Sequence, residues 1–153
     1  MINQTNINRT VLNNGIVVIT TENTVADIVS AKIFLGIGSS YESKNQAGIS
    51  HLLATVLTKG TKKLSSLDIA LKIESLGARL GSDTTADYFL LSMKTVSEDF
   101  DDIFRLSGEI IRCPSFPETE IELEKRITIQ SIRSQLEQPF SVAFSGLTQV
   151  RYI

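Results

Sequence analysis

The chain has 153 residues, enough for one compact domain or a large piece of one. Its 42% hydrophobic and 21% charged residues and net charge of −2 give no reason to expect nucleic acid or an anionic membrane as partner. One cysteine excludes an internal disulfide, no apolar run is long enough to span a membrane, and the polar start Met1–Asn6 shows no signal-peptide pattern, so the compartment stays open.

Arg9–Leu12 and Ile16–Thr21 read as strands joined by Asn13-Asn14-Gly15. Asn-Gly is a hairpin signal because a type I′ turn needs positive φ at both central positions. A third strand runs from Ile28 to Ile37. The loop Ser39–Gln46 then leads into a helix from about Gly48, stopped at Gly60. Its apolar residues Ile49, Leu52, Leu53, Val56 and Leu57 follow helical spacing, and the opposite face carries Ser50, His51, Ala54, Thr55 and Thr58. Ser65-Ser66-Leu67-Asp68 has the form of a capping box and opens a second helix that ends at Gly77.

Two more strands follow, Arg79–Thr84 and Asp87–Val96, and the apolar, aromatic second one should be central. Ser97 can cap a helix through Ile111. Cys113, at the end of that apolar stretch, reads as a small core residue rather than a nucleophile. Pro117 suits the first turn of a helix that runs to Glu137 and stops before Pro139, and 141–153 again reads as helical. The acids from Glu98 to Asp102 and from Glu118 to Glu124 cluster at helix starts, where they favour the positive end of the dipole. This order predicts an α+β unit with helices packed on one face of a largely antiparallel sheet.

The segment Gly38-Ser39-Ser40-Tyr41-Glu42, followed by Ala47-Gly48-Ile49-Ser50-His51-Leu52-Leu53-Ala54-Thr55 and Lys59-Gly60-Thr61, resembles the pitrilysin, insulinase and mitochondrial processing peptidase family of zinc proteases. In that family the stretch reads approximately G-S-x-Y-E…A-G-x-x-H-x-x-E-H-x-x-x-K-G-T. The likeness continues through Leu76-Gly77-Ala78, the strand Leu80-Gly81-Ser82-Asp83-Thr84 and the segment Cys113–Ile132, spanning roughly residues 9 to 150. It implies that residues 1–153 are the N-terminal part of one pitrilysin-like peptidase domain, an incomplete half-domain whose remainder is absent.

The same resemblance implies a lost catalytic centre. In an inverted H-x-x-E-H motif, residues at i, i+3 and i+4 share one helical face, two histidines bind zinc, and the glutamate takes a proton from metal-bound water. Here His51 keeps the first histidine position. Ala54 replaces the base, Thr55 the second histidine, and Ser131 falls where a later helix supplies the third ligand. One imidazole should not hold the metal, so no zinc or other cofactor is expected, although active relatives use zinc. By itself His51 reads as a solvated or cleft-lining side chain, and Glu124, where the family also tends to have an acid, as a surface carboxylate. Tyr41-Glu42 and Lys59-Gly60-Thr61 read as structural.

What the resemblance implies for function is a non-catalytic, zinc-less homologue of a peptide-cleaving enzyme, not an enzyme by itself. It would partner an active zinc-peptidase paralogue in a hetero- or homodimer and contribute cleft wall and peptide contact. The edge Leu80, Gly81, Ser82, Asp83 and Thr84 is where an extended peptide would add as a strand. The alternative is a structural or assembly protein of this fold without a peptidase partner, like the core subunits of the cytochrome bc1 complex. A hydrolase with relocated ligands ranks last, because His51 is the only histidine.

Overall fold

Ten elements of regular structure follow one another in the order read from the pattern, in a computed structural model that describes residues 7–23 and 25–151. They are β1 (Ile7–Val11), β2 (Val17–Thr21), β3 (Ile28–Leu35), α1 (Ile49–Val56), α2 (Ser66–Ser75), β4 (Arg79–Thr84), β5 (Phe89–Val96), α3 (Phe100–Arg112), α4 (Glu118–Leu136) and α5 (Pro139–Arg151). Short 3₁₀ turns fill the loop before α1 and continue its C-terminus through Leu57–Lys59.

Every strand pairing is antiparallel, but the strands divide between two sheets. β1 and β2 form a hairpin, and the other three are ordered β3-β5-β4, so β5 is central as expected. Alternation along β5 buries Phe89, Leu91, Met93 and Thr95. Directly opposite them, Ile33, Ala31 and Val29 of β3 and Thr84, Ser82 and Leu80 of β4 share that face. Helices cover it. α3 supplies Ile103, Leu106 and Ile110, α2 supplies Ile69, and α1 supplies Ala54, with Leu57 just beyond its end. The buried hydroxyl of Ser107 donates to the Ile103 carbonyl at 2.7 Å, so no polar atom is orphaned there. The fold is thus α+β, with helices on one face of an antiparallel sheet.

Several local expectations need correction. The hairpin turn is not type I′: Gly15 alone has positive φ (85°), Gly15 N–H donates to the Leu12 carbonyl, and Leu12 N–H donates to the Ile16 carbonyl. That is a three-residue connection in which only the last residue must be left-handed, so Asn13 and Asn14 stay in ordinary space. The third strand stops at Leu35 rather than Ile37. On α1 the apolar stripe is buried only in part: Val56 and Leu57 are buried, together with Ala54 of the opposite face, whereas Ile49 and Leu53 are exposed. Ile49 and Leu53 line an apolar recess with Ile37, Pro114 and Phe116, so spacing found the helix and the C-terminal part of its buried face but not the burial of Ala54.

Ser97 opens a 3₁₀ turn (Ser97–Asp99) without a side-chain cap, and α3 starts after it. Cys113 lies at the end of α3, half-buried rather than in the core. Pro117 precedes the first residue of α4 instead of lying inside it. Pro139 both stops α4 and opens α5, since its missing N–H costs nothing at a first helical position. The last two residues of the helix expected over 141–153 lie outside the described residues.

Candidate functional site

Helix α1 stands where the edge strand β4 and the long helix α4 come together, packing against both. Its N-terminus is held by a carboxylate from the preceding loop. Glu42 accepts from the backbone N–H of Gly48 through Oε2 and from that of Ser50 through Oε1, both at 2.7 Å. These are donors that the first turn of a helix leaves without partners. The Gly48 and Ser50 amides, with the Ser50 hydroxyl, hold the Glu42 carboxyl below its ordinary range.

The loop carrying Glu42 is itself pinned to the β4–β5 turn. Ser39 N–H donates to the Thr85 carbonyl at 3.0 Å, and Ser40 bonds the Ala86 carbonyl with both its amide (2.9 Å) and its hydroxyl (2.6 Å). A Cβ on Gly38 would lie 2.6 Å from the Ala86 carbonyl oxygen, so only glycine allows this approach.

The other end of α1 is held by Lys59-Gly60-Thr61. Lys59 Nζ pairs with Glu124 of α4 at 3.0 Å, the Thr61 hydroxyl donates to Glu109 of α3 at 2.8 Å, and Gly60 abuts Ser115 and Pro117. Glu124 is therefore no free surface carboxylate. Its side chain is 12% exposed and ties α4 to the end of α1.

The motif positions lie along α1 as follows. His51 is exposed and Ala54 is buried. Thr55 is half-buried and its hydroxyl donates back to the Leu52 carbonyl at 2.9 Å. Across from the helix, the Ser82 hydroxyl donates to the Ala54 carbonyl at 2.6 Å and fixes the edge strand against α1. In β4, Leu80, Ser82 and Thr84 face the helices and Gly81 and Asp83 point the other way; the strand pairs with β5 along one side only among the described residues. Ser131 is exposed on α4, two turns beyond Glu124.

Zinc in a hydrolytic site takes three protein nitrogen, sulfur or carboxylate ligands and keeps a position for water. These positions provide one imidazole, one methyl and two neutral hydroxyls, one of which is committed to backbone. Among the described residues no three histidine, cysteine, aspartate or glutamate side chains converge on a point that could hold a metal ion. The donor set does not fit zinc.

The partners of Glu42, Ser82 and Lys59 carry no mark in the local sequence. A capping box is recognised by a partner three residues away, but Glu42 serves amides six and eight residues on. Ser82 and Ala54 are 28 positions apart, and Lys59 meets Glu124 only through the packing of α4.

A family model described as Insulinase (Peptidase family M16) matches residues 17–152. The β subunit of mitochondrial-processing peptidase from Rattus norvegicus is 30% identical over 143 residues, covering 94% of this chain and 29% of that protein. An uncharacterized zinc protease of Rickettsia felis is 28% identical over 134 residues, covering 88% of this chain and 32% of the relative. The chain thus spans about a third of the length of the curated relatives it matches.

Two solved structures share the fold over 90% of this chain. A protease from Helicobacter pylori matches with a TM-score of 0.80 at 20% identity, over 33% of its own length. A peptidase M16 inactive domain from Pseudomonas fluorescens matches with a TM-score of 0.83 at 22% identity, over 34%.

Proposed function

Because this chain belongs to the insulinase family of peptidases, family M16, we propose that it is a non-catalytic member. It is the zinc-less partner of an active zinc peptidase and supplies cleft wall and a peptide-binding edge. The observation that carries the reading is the composition of the α1 face. His51 is its only metal-binding side chain, Ala54 cannot move a proton, and Thr55 spends its hydroxyl on the Leu52 carbonyl. Hydrolysis by this family needs a general base and a held metal, and these residues offer neither.

Contacts on both ends and one side hold that face in place. Glu42 seats the start of α1, Lys59 and Thr61 seat its end, and Ser82 holds the edge strand against it. A firmly seated helix beside a strand edge that has no partner among the described residues suits binding an extended peptide, whose main chain supplies most of the hydrogen bonds in strand addition. The relatives named as β subunits of a processing peptidase make a paired arrangement the natural setting.

The test is metal analysis combined with reconstitution. The purified protein should hold no stoichiometric zinc and cleave no peptide, and activity should rise when a paralogue with an intact H-x-x-E-H motif is added. One tightly bound zinc per chain would overturn the reading. Full activity of the paralogue alone, with no co-purification, would transfer the chain to a structural or assembly role. The combined Ala54→Glu, Thr55→His and Ser131→Glu variant should gain zinc binding. If that variant folds and still takes no zinc, either Ser131 or the cleft itself is not placed as the zinc site requires.

A further inference from the structure

The outward side of α3 carries a recess that the proposed cleft does not use. Arg105, Gly108, Glu109 and Arg112 recur at i, i+3, i+4 and i+7 and therefore share one face, away from the core residues Ile103, Leu106 and Ile110. In the middle of that face Gly108 has no side chain, and a Cβ there would meet open space. The helix backbone is thus the floor of a recess of about 580 Å³. Lys62 and Lys63, from the loop after α1, also line it, as does Phe104, which is 50% exposed.

The charges around it are one-sided. Four cations, Lys62, Lys63, Arg105 and Arg112, face the recess with one carboxylate, Glu109, whose Oε1 already accepts from the Thr61 hydroxyl. None of the four forms an ion pair with a described residue; Arg112 only reaches back to the Gly108 carbonyl at 3.3 Å. In a chain of net charge −2 this is a local reversal of sign. Like charges held together repel, and an incoming anionic group relieves that repulsion.

The neighbouring side chains decide which anion. Phe104 offers an uncovered aromatic surface beside the cations, so the matching ligand combines carboxylates with apolar or aromatic groups. The recess, about 580 Å³ and lined by neither Asp101 nor Asp102, suits a short acidic segment. An extended polyanion such as nucleic acid would run on past it against those two carboxylates in the first turn of the same helix. We propose that this recess docks an acidic segment of a partner polypeptide in which glutamate or aspartate is interleaved with apolar side chains. The inference goes beyond the cleft reading: no residue of α1 or β4 lines the recess, so either can fail without the other.

The probe is a short fluorescent peptide of repeating Glu-Glu-Phe, followed by anisotropy. The expected result is saturable binding that weakens as salt is raised. The Arg105→Glu/Arg112→Glu double variant should bind about tenfold more weakly, as expected when complementary charges are reversed. Gly108→Glu is the safer variant for folding, because its side chain enters open space while placing a carboxylate on the floor; it should show the same loss with an unchanged circular dichroism spectrum. Arg126→Glu on α4 should bind as the wild type does. The proposal is overturned if the peptide does not bind, if a Gln-Gln-Phe version binds equally well, or if Gly108→Glu leaves binding intact. Displacement of the peptide by inorganic phosphate or oligothymidylate at comparable concentration would also overturn it, because the recess would then be a phosphate site.

Discussion

Glu42 shows how one side chain can place a functional helix. Its carboxylate is held below the ordinary glutamate range by two amides at the start of α1, so the charged form is favoured in the folded state. A depressed folded pKa contributes stability above the unfolded value, about 4.3, and loses it as pH falls through the lower folded value. Glu42→Gln should therefore lower the thermal midpoint at pH 7, and the gap to wild type should close as the pH is taken well below 4.3. An equal gap at acid and neutral pH would show that the charge is not what caps α1. Gly38→Ala should cost roughly 1–3 kcal/mol in denaturant unfolding, because the new methyl group meets backbone that cannot step aside. The letters of this loop were legible in the sequence, and so was a structural role for Tyr41-Glu42. Their partners were not, because Thr85, Ala86 and the α1 amides reach them only after the chain has turned back.

At the scale of elements, α3 and α1 show two ways in which periodicity meets packing. The core face of α3, Ile103, Leu106 and Ile110, follows helical spacing, and the fold buries all three. Truncating Ile110, which is fully buried, should cost about 2–5 kcal/mol through lost transfer energy and the cavity left behind. Urea unfolding measures this, and a loss well under 1 kcal/mol would mean that the helix layer collapses to fill the space. In α1 the apolar stripe and the buried face coincide only towards the C-terminal end, at Val56 and Leu57, because neighbours meet the helix on more than one side. β4 takes the Ala54 side, α4 is tied to the end through Lys59, and Ile49 and Leu53 border an apolar recess. Hydrophobic spacing reports how much apolar surface a helix has, and neighbours decide which part of it is covered.

Across the whole molecule, burial is uneven. Every residue of β1 and β2 is exposed, whereas alternate residues of β5 lie beneath the helices. Amide exchange should therefore be fast in the hairpin, although its backbone bonds are formed, and slowest in β5, which is paired on both sides. Equal protection of hairpin and central strand in hydrogen-exchange mass spectrometry would show that the two sheets open as one unit.

What the sequence by itself determined is local and chemical. The elements and most of their bounds, the central place of β5, the capping box at Ser65 and Asp68, and the presence of His51, Ala54 and Thr55 on one helix can all be read from it. Each depends on spacing within one element or on the chemistry of a single side chain. Only the tertiary structure decided which residues meet. Ser82 binds the Ala54 carbonyl, Thr61 reaches Glu109 across 48 positions, Lys59 pairs with Glu124, and four cations gather over Gly108. Those contacts join segments far apart in the chain, and no local preference encodes them. They follow from how helices seated on one sheet must turn to bury their shared core.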